Sequence, residues 1–226
     1  MAEMRDGRMV IDEAGHEIYY RLFGEGPETL MCLAGGPGGN TQYLTRLGEL
    51  ANGDLQVLIH DQLGTGKSDR PDDPRLWNFP RFVEEVETVR SKLNLGKVHL
   101  YGQSWGGMLC LQYALDHPEG LKSLIPSNIG ASTAEMVREM WQHRLELPAE
   151  VLRTLAKYEG RQDFENPEML AASLQYYARF VRRATPFDLE TSIKEFIELV
   201  VPVFADLGPA YQAMWGPFEF ICTGSL

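Results

Sequence analysis

Gly102-Gln103-Ser104-Trp105-Gly106 places a hydroxyl nucleophile between two glycines, inside the run Val98 to Gly107. The chemistry open to such a run is acyl transfer, in which the serine oxygen adds to a carbonyl carbon and an acyl-enzyme forms. Ser104 is the candidate nucleophile. It must sit on a tight, strained strand-to-helix turn, where a β-carbon at 102 or 106 would collide with the neighbouring strand or helix. Its oxygen must also stand at a helix N-terminus, where free N–H groups and the helix dipole favour a developing negative charge. A glycine-rich turn with a capping serine has the same composition, so the pentapeptide alone does not decide between the two.

A second stretch adds weight to the chemical reading. Gly35-Gly36-Pro37-Gly38-Gly39-Asn40 follows the apolar run Thr29 to Ala34 at once. Its glycines let the backbone approach a ligand with N–H groups unpaired by side chains. A backbone oxyanion hole of this kind takes one N–H from the loop after the third strand and one from the residue after the nucleophile. Those residues are Gly36 and Trp105.

A general base is harder to find. His60, at the carboxyl end of a predicted strand, is expected to line its loop rather than to take a proton. His99 lies within the elbow strand, His117 at a helix end, His16 in the first hairpin and His143 in the lid. No pair of His, Cys or carboxylate side chains shows ligand spacing, so no metal and no cofactor is expected. Asp61 to Ser68 imitates a phosphate-binding loop, but that pattern needs glycine where the chain has Asp61, and a nucleotide site is rejected. The loop is expected to shape the mouth of the site.

Behind these residues the sequence predicts the elements that carry them. Arg8 to Asp12 and Glu17 to Phe23 read as an edge hairpin turning at Ala14-Gly15. Further strands are expected over Thr29–Ala34, Leu55–His60, Lys97–Tyr101 and Leu121–Pro126. Helices are expected over Thr41–Ala51, Asn78–Leu95, with Gly96 ending it, and Ser104–Asp116, with Met108, Leu111 and Leu115 along one side. The strand-helix rhythm is that of a mostly parallel sheet with helices on both faces. From Asn128 the character changes. Thr133–Glu146, Ala149–Tyr158, Pro167–Arg183 and Leu189–Val200 all read as helical, as a lid inserted over the carboxyl edge of the sheet. The expected division is therefore a core over 1–128, a helical lid over 129–220 and the start of a return to the core over 221–226.

A chain of 226 residues can bury a substantial core. Its net charge of −11 argues against nucleic acid as a partner and suits ligands carrying a positive amine. No apolar run is long enough to span a bilayer, and Met1 to Arg8 lacks the apolar stretch of a signal peptide, so no membrane association is expected. Cys32, Cys110 and Cys222 are odd in number and set in apolar surroundings, which fits reduced thiols and a cytoplasmic location.

Taken together, Ala34-Gly35-Gly36-Pro37-Gly38, Asp61 to Ser68, Gly102 to Gly107, Glu165-Asn166-Pro167-Glu168 and Met214 to Phe220 resemble, in this order, the proline iminopeptidases of the α/β-hydrolase fold. The family usually has histidine where this chain has Ala34. The resemblance implies removal of an N-terminal residue, typically proline, from a peptide or amino-acid amide substrate. It also implies that Glu219 pairs with the substrate's protonated amine and that Trp215 and Phe218 wall the pocket. In this fold the acid and the base follow the nucleophile, on loops after the last two strands. By the resemblance both strands are absent from this chain, so the triad Asp and His are expected to be missing and the chain to need completion by another polypeptide or an oligomer. An amino-acid amidase or esterase of the same fold, and a non-catalytic fragment, are the alternatives.

Overall fold

The computed structural model describes residues 3–164, 166–181, 190, 191, 194 and 209. They fall into two compact units, with a boundary between Ala131 and Ser132.

The first unit is built on six strands: β1 (Met4–Val10), β2 (Glu17–Phe23), β3 (Glu28–Leu33), β4 (Leu55–Asp61), β5 (Val98–Gln103) and β6 (Leu121–Ser127). Their order across the sheet is β1-β2-β4-β3-β5-β6. β1 and β2 are antiparallel to their neighbours, while β4, β3, β5 and β6 run parallel. Side chains alternate across the pleat, so each parallel strand feeds two cores. Met31, Leu33 and Leu58 face one core, shared with α1 (Phe79–Lys92) and α2 (Trp105–Asp116). Leu30, Cys32, Ala34, Val57 and Ile59 face the other, covered by Leu44 from the helical turns of Gln42–Leu50. Helices thus lie on both faces, as the alternation of elements predicts.

Several boundaries differ from expectation, each for a local reason. β1 begins earlier and ends at Val10, because Asp12 leaves the ladder to accept the His16 N–H and close the turn. The segment Gln42–Leu50 is a 3-10 helix rather than an α-helix. Thr41, its natural cap, instead donates its hydroxyl to Asp61 and accepts from Arg21. α1 starts as predicted, with the Asn78 side chain accepting the Arg81 N–H. It stops before Gly96, because Asn94 takes φ 54° and the Leu95 and Asn94 N–H groups turn back to the Arg90 and Ser91 carbonyls. On α2 the buried side carries Leu109, Cys110 and Tyr113, whereas Leu115 is 76 % exposed.

The second unit contains α3 (Thr133–Arg144), α4 (Ala149–Glu159) and α5 (Pro167–Tyr176). Leu147, Val151, Leu155, Tyr158, Met169 and Ala172 form its own small core. The long helix expected to reach Arg183 ends at Tyr176 and passes into a π turn over Tyr177–Val181. Most of the helix expected over Leu189–Val200 lies outside the described residues.

Candidate active site

The parallel strands reverse their order of growth between β3 and β5. From β3 the chain moves outward to β4, and it then crosses back to place β5 on the other side of β3. Ligands of open α/β sheets bind outside the carboxyl ends of the strands at such a reversal. Leu33 pairs with Gly102, so the loop after β3 and the turn after β5 leave the sheet at one level.

That turn has the strand-to-helix form expected of a nucleophile elbow. Ser104 adopts φ 52° and ψ −118°, outside the regions open to an L-residue without strain. Its N–H donates to the Ser127 carbonyl at the end of β6 (2.9 Å), and its own carbonyl accepts from Gly107 and Met108 in the first turn of α2. The flanking glycines are needed for the reason the sequence suggests. A β-carbon on Gly102 would stand 2.0 Å from the Gly106 carbonyl oxygen, and one on Gly106 2.4 Å from that of Leu33. The start of α2 therefore lies directly against the end of β3.

Trp105 follows at the first position of α2. Its N–H has no partner among the described residues, as expected of an N-terminal helix amide. Its side chain is held firmly: the indole N–H donates to Gln62 Oε1 (3.2 Å), and the ring meets Phe79 and Phe82 edge-on at centroid distances of 5.3 and 5.7 Å. Across the crevice, Gly36 takes φ 135°, and its N–H likewise has no partner among the described residues. The preceding Gly35 N–H is occupied, donating to Tyr43 Oη (2.8 Å), which donates in turn to Gln103 Oε1 (2.8 Å). A β-carbon on Gly35 would stand 3.4 Å from Ser104 Cβ, which puts this loop beside Ser104. Ser104, Gly36 and Trp105 are thus brought together. Trp215, Phe218 and Glu219 lie outside the described residues.

No histidine reaches Ser104. His16 bonds Asp12 (2.7 Å), His99 bonds Ser123 (2.7 Å), His117 faces Glu84 (3.2 Å) and His143 faces Glu146 (3.1 Å). His60 is fully buried, with Nε2 3.5 Å from Glu85 Oε1. Glu85 is also buried and accepts the Leu63 N–H on both oxygens at 3.3 Å. Burial pushes its carboxyl pKa up, but the adjacent Arg81 guanidinium and His60 outweigh this and hold it below its ordinary value. The loop after β4 is folded onto its own carboxylate, Asp61 Oδ2 accepting the Lys67 N–H (2.9 Å) where a phosphate-binding loop would turn its amides to an anion. The buried thiols of Cys32 and Cys110 are free, and burial pushes both pKa values up, that of Cys110 to about 12. Neither is an activated nucleophile. Cys222 lies outside the described residues. Among the described residues no cluster could hold a metal ion, and no helix is long and apolar enough to cross a membrane.

Tyr43, Gln103 and Gln62 were not foreseen as contributors to the site. Gln62 lies in a loop motif that the sequence does flag, and Gln103 is the variable position of the elbow. Nothing in the sequence marks Tyr43.

Known proteins agree with this geometry. Residues 28–205 match the family model for the alpha/beta hydrolase fold. The proline iminopeptidase of Lactobacillus helveticus (strain DPC 4571) is 36 % identical over 229 residues, covering 99 % of this chain and 74 % of that protein. The proline iminopeptidase of Heyndrickxia coagulans is 36 % identical over 218 residues, covering 96 % of this chain and 73 % of its own. Among solved structures, that of the proline iminopeptidase of Mycobacterium smegmatis superposes with a TM-score of 0.76 at 30 % identity, covering 97 % of this chain and 74 % of the other. By these matches the chain belongs to the proline iminopeptidase family of the α/β-hydrolase fold.

Proposed function

We propose that the protein is a serine aminopeptidase that releases an N-terminal residue, typically proline, from peptides. The observation carrying this reading is the strained Ser104 together with Gly36 and Trp105 N–H groups that have no partner among the described residues. Ser104 Oγ adds to the carbonyl carbon of the first residue, and its proton passes to a general base. The carbonyl oxygen takes up the negative charge and receives hydrogen bonds from Gly36 and Trp105. Collapse breaks the peptide bond as the leaving amine takes the proton, and water then releases the acyl group by the same steps in reverse. Glu219 binds the substrate's protonated amine, and Trp215 and Phe218 wall its pocket. The names of the relatives support peptide rather than ester substrates.

The base is not one of the five histidines, which are all partnered elsewhere or buried. The reading therefore requires a general base other than these five histidines. Without one, the oxyanion hole and binding contacts leave a residual acceleration of about 10³ to 10⁴ over water. That same observation favours a second reading, a protein that binds peptide N-termini without cleaving them.

Intact mass and hydrolysis of L-prolyl p-nitroanilide decide between them. Cleavage that Ser104→Ala lowers by at least about 10³-fold establishes the peptidase. A mass of 226 residues with no cleavage establishes the second reading. A requirement for a free α-amine separates peptidase from esterase, since an N-acetylated substrate is then refused.

A further inference from the structure

An oxyanion hole works only if its two donors keep their separation, and here they stand on segments far apart in the chain. Gly36 follows β3 and Trp105 follows β5, and strand pairing stops at Leu33 and Gly102. Beyond the last rung, side chains join the two segments. Gly35 N–H donates to Tyr43 Oη at 2.8 Å, and Tyr43 Oη stands 2.8 Å from Gln103 Oε1. The directions are forced by what each group can do. An amide N–H only donates, so the phenol oxygen accepts from Gly35 and spends its single proton on the Gln103 carbonyl oxygen. Gly35 precedes one oxyanion donor, and Gln103 precedes the nucleophile. Burial pushes the Tyr43 pKa up, so the proton that makes the link is retained. The contact is also close, since a β-carbon on Gly35 would meet Gln103 Oε1 at 2.5 Å.

We infer that Tyr43 and Gln103 are positioning residues, whose relay holds the Gly36 and Trp105 N–H groups at the separation a tetrahedral oxyanion requires. This rests on the reading of Gly36 and Trp105 as oxyanion donors. Neither side chain is assigned a contact with substrate. The Trp105 side chain is held separately, by the Gln62 bond to its indole, so the relay acts chiefly on the Gly36 loop.

The test compares Tyr43→Phe, Gln103→Met and the double variant. Both substitutions keep side-chain volume, so the fold is retained. Each single variant is expected to lower kcat for L-prolyl p-nitroanilide by about 10- to 100-fold with KM within about twofold, the signature of misplacement rather than lost binding. The double variant is expected to be no worse than the poorer single, because one link is cut twice. Exchange of the Gly35 amide with solvent deuterium is expected to speed up at least about tenfold in all three. The Gly35 amide donates to Tyr43 and not to Gln103, so Gln103→Met is expected to speed its exchange by loosening the Tyr43 acceptor. Unchanged kcat, losses that multiply, or a loss carried by KM overturns the proposal. If the unaltered protein shows no Ser104-dependent cleavage, the functional reading fails by itself. The exchange rates then decide the relay, and an unaltered rate in Gln103→Met overturns it.

Discussion

Ser104 holds a conformation that glycine adopts freely and other residues only under strain, at φ 52° and ψ −118°. Strain of this kind persists only where surrounding contacts over-determine it. Here these are the Ser127 carbonyl on one side and the first turn of α2 on the other. Glycine at this position is therefore expected to stabilise the fold relative to alanine. The difference is put at about 1 kcal/mol, the strain relieved less the entropy glycine loses. Urea unfolding of Ser104→Gly and Ser104→Ala measures it, and equal midpoints would mean that the turn stores nothing. Both variants lack the Ser104 hydroxyl, so stability is read apart from any activity it supports. The need for Gly102 was legible in the sequence because it is local, its β-carbon meeting Gly106 of the same pentapeptide; that for Gly106 was legible only as part of the motif, since the carbonyl it must clear belongs to Leu33 on β3. The bonds of Tyr43 to Gln103 and of Gln62 to Trp105 were not. They join residues 60 and 43 positions apart, and no period or spacing connects such partners.

α1 does more than cover the sheet. Glu85 projects from it into the core and receives the Leu63 N–H, with the Arg81 guanidinium one turn before it and His60 on β4 facing it. The helix thereby fastens the loop after β4, whose Gln62 holds Trp105. Its apolar stripe of Phe82, Val83, Val86 and Val89 was legible from helical spacing. The charged residue within that buried face was not, because its partners come from β4 and the loop after it. Glu85→Gln is expected to cost about 3 kcal/mol at pH 7, since it leaves the part-buried Arg81 guanidinium short of its counter-charge. The carboxyl's folded-state pKa lies below its ordinary value of 4.5. The unfolded state thus takes up the proton first, so this contribution is full above pH 4.5 and disappears as the pH falls through the depressed folded value. Stability against pH should therefore be steeper below 4.5 in the unaltered protein than in Glu85→Gln, with the curves converging in acid. Parallel curves from urea midpoints at stepped pH would remove Glu85 from this role.

Across the molecule, what could be read in advance was the kind of sheet and not its order. Runs such as Leu30–Leu33 and Val57–Ile59 are buried on both faces and so read as central parallel strands. The placing of β3 between β4 and β5 arises from packing among distant segments, and it is this order that makes the crevice. Charge is the other property of the whole. At −11 the protein attracts cations over a range set by ionic strength, about 10 Å at 0.1 M salt and about 3 Å at 1 M. A substrate of the proposed kind carries a protonated amine, and its encounter rate should gain from this field. Raising NaCl from about 0.05 M to about 1 M is expected to lower kcat/KM for L-prolyl p-nitroanilide by about two- to fivefold, mostly through KM. A neutral ester such as p-nitrophenyl acetate has no charge to steer and should hold its rate. Equal salt dependence for the two substrates would show that the acidic surface has no part in gathering the amine, and that recognition rests wholly on contacts within the site.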